Sequence, residues 1–146
     1  MSARIVVGVD GSDHAARALR FAFEEARRRG DAVVEAVHSY HAVVYMPGVE
    51  FGYVMPPTRV ELEAEAKRRL EHALRDVPDG VRVEQIVVAD SPARALIETG
   101  KGADLLVIGT RGHGGFRGLL LGSTSMQVVT HAPCPVVVVP GARVED

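Results

Sequence analysis

The chain has 146 residues, 47% of them hydrophobic and 25% charged, with a formal net charge of −2. That is the size and usage of one globular domain over residues 1–146, able to bury about 70% of its unfolded surface without a disulfide or metal. The near-neutral charge argues against nucleic acid or an anionic membrane as partner, and Cys134, the sole cysteine, excludes an internal disulfide.

Met1-Ser2-Ala3-Arg4 leads straight into a short apolar run and then Asp10, which is not the pattern of a secretory signal. No apolar run approaches the ~18 residues of a membrane span. With a single cysteine, the expectation is a cytoplasmic protein.

Short β-branched runs alternate with segments of helical period, which predicts an α/β fold with a parallel sheet. Ile5 to Val9 reads as a first strand, apolar on both faces and therefore central. From Asp13 to Arg29, Ala15, Leu19, Ala22, Phe23 and Ala26 follow helical spacing, with Ser12 or Asp13 as cap and Gly30 as the C-terminal glycine. Arg27-Arg28-Arg29 reads as a solvated last turn complementing the helix dipole.

Ala32 to Ser39 is a second strand, and Pro47, Gly48, Gly52, Pro56 and Pro57 mark a long loop after it. Thr58, with Glu61 three residues on, predicts a capping box and a helix burying Ala66, Leu70, Ala73, Leu74 and Val77. Val81 to Ala89 is a third strand. Ser91-Pro92 opens a short helix ended by Gly100 and Gly102. Leu105 to Ile108 is a fourth strand, Ser123 to Thr130 a final helix, and Val136 to Val139 the last strand.

The chemistry concentrates after the fourth strand, in Gly109-Thr110-Arg111-Gly112, nine further residues, and Gly122-Ser123-Thr124-Ser125. A glycine-rich loop between a buried strand and a helix start stands where open α/β sheets bind ligands. Glycines let the backbone approach a ligand, successive N–H groups form an anion nest, and a helix N-terminus favours negative charge. Ser123 and Ser125 add hydroxyls. No aspartate or glutamate occurs between Asp104 and Glu145, while Arg111, His113 and Arg117 fall within the loop. These features describe a phosphate cradle; the plainer alternative is a loop that simply needs to turn. Two other nucleotide motifs are excluded. Gly100-Lys101 runs into Gly102 instead of the Ser or Thr of a P-loop, and Arg117 stands where the third glycine of the dinucleotide fingerprint should follow Gly112 and Gly114.

The spacing G-x2-G-x9-G followed by Ser, at Gly109, Gly112, Gly122 and Ser123, resembles the ATP-binding branch of the universal stress protein family. So do Val7-Gly8-Val9-Asp10-Gly11-Ser12 and Ala132-Pro133-Cys134-Pro135 before the valine run. The resemblance covers nearly the whole chain as one domain. It implies a three-layer α/β/α, Rossmann-like fold of the adenine nucleotide alpha hydrolase-like kind, with a five-stranded parallel sheet in the order 3-2-1-4-5. It implies ATP as ligand, any Mg2+ being carried on the ATP phosphates.

On that resemblance Asp10 would contact the ribose, Gly8 would permit close approach, and the backbone near Ser39 would face the adenine. Gly109, Thr110, Arg111, Gly112, His113, Gly114 and Gly115 would wrap ribose and phosphates, and Gly122, Ser123, Thr124 and Ser125 would hold the phosphate tail. Asp10 also suits a turn in Asp10-Gly11-Ser12-Asp13, and Ser12 a helix cap. The family's strand order puts Val136 to Val139 at an edge, so a homodimer through that strand is expected.

The functional expectation is a nucleotide-dependent stress-response sensor or regulator; the alternative is a slow ATPase or nucleotidyl-transferring enzyme of the same fold. A member that has lost nucleotide binding is disfavoured because every motif glycine is present. No catalytic residue and no protein metal ligand is assigned. His38 and His41 lack a third ligand at metal spacing, Cys134 reads as a packed apolar residue, and His131 suits a helix C-terminus.

Overall fold

The computed structural model describes residues 2–41, 56–110 and 121–141, and among these it has five strands and four helices. In chain order they are β1 (Ala3–Gly8), α1 (Asp13–Arg29), β2 (Ala32–Tyr40), α2 (Arg59–Ala73), β3 (Arg82–Ala89), α3 (Pro92–Thr99), β4 (Leu105–Gly109), α4 (Ser123–His131) and β5 (Val136–Val139). All four strand pairings are parallel, and the sheet order is β3-β2-β1-β4-β5. The expected order 3-2-1-4-5 is therefore the one found.

Helices cover both faces, giving three layers. Because successive strand residues point to opposite faces, β1 sends Ile5 and Val7 into a core with α1 and α2, and Val6 into a second core with α3 and α4. Ile5, Val6 and Val7 are fully buried, as a central strand apolar on both faces requires.

The helix starts follow local chemistry. The Ser12 hydroxyl accepts the Ala15 N–H at 3.1 Å and caps α1, so the cap is Ser12 and not Asp13. At the other end Gly30 has φ of 81°, a conformation that favours glycine, and its N–H closes on the Ala26 carbonyl. Thr58 and Glu61 form the capping box of α2. Ser91 caps α3, with Pro92 at its first position. Of the predicted α2 stripe, Ala66, Leu70 and Leu74 are buried, while Ala73 and Val77 pack at its margin.

At the amino ends of the strands Arg4 ties three elements together. Its guanidinium pairs with the buried Glu35 of β2 (2.8 Å) and donates to the Thr99 and Lys101 carbonyls at the end of α3, both at 3.0 Å. A cation at a helix C-terminus satisfies carbonyls that have no intrahelical partner. The Glu35 hydrogen bond raises the Arg4 pKa above its ordinary value, against the opposing effect of burial.

Candidate functional site

Strand order reverses between β1 and β4, because the chain runs from β1 outward to β3 and then crosses back to β4 on the other side. Connections leave in opposite directions there, and in open α/β sheets such a point, at the carboxyl ends of the strands, is where ligands bind. Val7 lies opposite Val107 in register, so Asp10 follows the end of β1 beside the exit of β4 at Gly109.

Asp10 is exposed, and its Oδ1 accepts both the Ser12 N–H (2.9 Å) and the Ser12 hydroxyl (2.5 Å). Gly11, between them, has φ of 83°. One carboxylate oxygen is thus spent on the turn. Oδ2 has no hydrogen-bond partner among the described residues. Ser12 is buried and its hydroxyl is committed at both ends, to Asp10 and to the α1 cap. Ser39 is half-buried near the end of β2, opposite Val88. Beside it, His38 is buried with Nδ1 2.7 Å from the Val9 carbonyl; since a carbonyl only accepts, Nδ1 carries the proton.

The two ends of the glycine-rich segment meet: the Gly122 N–H donates to the Thr110 carbonyl at 2.8 Å. Gly122 is the N-cap of α4 and supplies no side-chain hydrogen bond. Among the described residues the N–H groups of Ser123, Thr124 and Ser125 therefore open the helix without a capping side chain, and its first turn carries no acidic residue. Such a turn is an anion receptor. The Ser125 hydroxyl is buried and donates to the Gly109 carbonyl at 2.9 Å, so it is committed within the fold; Ser123 is exposed. Arg111, Gly112, His113, Gly114 and Gly115 lie outside the described residues, as does most of the loop after Tyr40.

Packing requires glycine at one motif position, 109, and a small residue at another, 8. A Cβ on Gly8 would meet the Leu96 side chain of α3 at 3.0 Å, and one on Gly109 would lie 2.9 Å from both Cβ and the carbonyl oxygen of His14 in α1. His14 was not visible as a site residue in the sequence, and no motif marks it. Its ring touches Gly141, and its Nδ1 is 3.1 Å from the Thr110 hydroxyl.

Cys134 is half-buried at the opposite end of the sheet, and burial pushes its thiol pKa up. That suits a packed residue and not a nucleophile. Among the described residues there is no group of three or more His, Cys, Asp or Glu able to hold a metal ion, and no helix long and apolar enough to cross a membrane.

A five-stranded parallel sheet in the order β3-β2-β1-β4-β5, covered by helices on both faces, defines the doubly wound, three-layer α/β class. Within that class the chain belongs to the universal stress protein family, whose model matches residues 1–140. It is 40% identical over 137 residues to a universal stress protein of Thermus aquaticus, covering 92% of this chain and 96% of that one. A universal stress protein of Mycobacterium tuberculosis is 40% identical over 138 residues, 93% of this chain; the chain spans only 45% of that relative's length.

Among solved structures, the universal stress protein UspA from Lactobacillus plantarum shares the fold at a TM-score of 0.74 and 24% identity, covering 94% of this chain and 97% of that one. One from Archaeoglobus fulgidus, solved in complex with dAMP, aligns at a TM-score of 0.63 and 28% identity, covering 93% and 96%. Another universal stress protein, in complex with cAMP, aligns at 0.61 and 27% identity, covering 97% and 98%.

Proposed function

We propose that this chain is an adenine-nucleotide-binding universal stress protein that takes ATP at the carboxyl ends of β1 and β4 and acts as a nucleotide-dependent regulator. The observation that carries the reading is the start of α4, where Gly122 caps the helix without a side chain and leaves the N–H groups of Ser123, Thr124 and Ser125 to an anion. Asp10 Oδ2 is the acceptor for a ribose hydroxyl, and the backbone at Ser39 borders the base. Arg111, Gly112, His113, Gly114 and Gly115 belong to the same proposal as the wrap around ribose and phosphates. Structural relatives solved in complex with dAMP and cAMP support an adenine nucleotide as the ligand class. ATP brings any Mg2+ with it on its own phosphates. Turnover is slow or absent, and residues 1–146 act as one cytoplasmic domain, paired into a homodimer through β5.

Titration of ATP into wild type and Gly122→Val tests the reading. Gly122 has φ of −73° and ψ of 173°, angles open to any residue, so the backbone is not strained by valine and weaker capping contributes about 1 kcal/mol or less. The variant should stay folded and lose ATP. Unchanged affinity in a folded Gly122→Val removes the phosphate cradle. Mass spectrometry of small molecules released from the purified protein identifies the nucleotide.

A further inference from the structure

His14 joins three segments that converge on the site. It stands in the first turn of α1, half-buried, with its backbone and Cβ filling the space that a side chain on Gly109 would need. Its ring faces Gly141, two residues beyond β5, so closely that a Cβ there would lie 2.5 Å from Cε1 and 2.9 Å from Nδ1. Its Nδ1 is 3.1 Å from the hydroxyl of Thr110, the first residue after β4. The Thr110 carbonyl in turn accepts the Gly122 N–H. An unbroken path therefore runs from the His14 side chain through the Thr110 residue to the first turn of α4.

We propose that His14 is a positioning residue of the nucleotide site: through the Thr110 hydroxyl it fixes the peptide that holds Gly122, and with it the aim of the α4 N–H groups. This rests on the nucleotide reading above. A threonine has few side-chain rotamers for a given backbone, so holding its hydroxyl restrains the backbone as well. The imidazole is itself held by regular elements. It grows from α1, and Gly109 ends β4, so the anchor needs no ligand to be in place. No side chain intervenes at Gly109 or Gly141, and the contact depends on both glycines.

A double-mutant cycle on the full chain, read as ATP affinity by calorimetry with melting midpoints recorded alongside, tests the role. The variants are His14→Leu, His14→Asn, Thr110→Val and the Leu/Val double. Leucine fills similar volume without a polar atom, whereas the asparagine amide reaches the place of Nδ1. Loss of one net hydrogen bond predicts about fivefold weaker ATP binding in His14→Leu, restored to within about twofold by His14→Asn. In the Thr110→Val background the leucine should add less than about twofold, because the hydrogen bond through which the imidazole acts is already gone.

A residue that merely packs would lower the melting midpoint and weaken ATP equally in both backgrounds, with asparagine no better than leucine. That result, or unchanged affinity in His14→Leu, overturns the proposal. If wild type binds no ATP, the nucleotide reading falls and this role with it. If wild type binds and Gly122→Val does not, while the cycle is additive, only the role of His14 falls.

Discussion

Replacing Gly109 by alanine separates packing from ligand contact. The new Cβ would stand 2.9 Å from His14 Cβ, 2.9 Å from its carbonyl oxygen and 3.0 Å from its carbonyl carbon. Two of those atoms are backbone of α1, so relief requires the helix or the end of β4 to move. Overpacking of that kind costs about 2–3 kcal/mol. Alanine restricts the unfolded chain and returns about 0.4–1 kcal/mol, leaving a net loss near ~2 kcal/mol. For a domain of this size that lowers the melting midpoint by about 4–8 °C.

Gly8→Ala is the matched control. Its Cβ would meet only the Leu96 Cδ atoms, at 3.0 and 3.3 Å, the far end of a side chain that can turn aside. It should fall within about 0.5 kcal/mol of wild type once the unfolded-state gain is included. Urea melts without nucleotide measure both. A Gly109→Ala midpoint equal to wild type, or a Gly8→Ala loss as large as that of Gly109→Ala, would refute the assignment of these contacts.

Arg4→Met leaves the Glu35 carboxylate buried without its cation and should destabilise by about 2–4 kcal/mol, at least half of it recovered in Arg4→Met/Glu35→Leu; equal melts for the single and double variants would contradict this. Cys134, its thiol pKa raised by burial, should react with iodoacetamide at neutral pH more slowly than glutathione does, and a rate matching glutathione contradicts it. The homodimer should appear by light scattering at micromolar concentration, and Val138→Lys should give a folded monomer by circular dichroism and scattering. A monomeric wild type, or a dimer indifferent to Val138→Lys, removes the β5 interface.

Much of the fold was legible because its signals are local. The Thr58-to-Glu61 spacing, Pro92 after Ser91, and the valine runs are each read within a few residues, and each sits in the structure where it was expected. Strand order came from family resemblance and not from any residue pattern. The contacts that the sequence hid are those made across long separations. Arg4 reaches Glu35 31 residues away and the Thr99 carbonyl 95 away, and nothing in either neighbourhood announces the pair. His14 and Thr110, 96 residues apart, are the same case at the candidate site. Ser125 looked like a free hydroxyl beside a phosphate, and only the fold reveals the Gly109 carbonyl that takes it.

The packing at Gly8 and Gly109 changes what a glycine signature reports. A descendant of this protein that abandoned its ligand would still have to seat Leu96 and His14 against β1 and β4, so selection for folding alone would preserve glycine at position 109 and small residues at position 8. The backbone angles of Gly122 admit any residue, and a serine or aspartate there would improve the capping of the helix start. Position 122 is therefore the informative one when sequences of this kind are sorted into binders and non-binders. A lineage with Gly109 intact and an acidic cap at 122 would be a fold retained after its ligand was lost, with the carboxylate occupying the place of the anion.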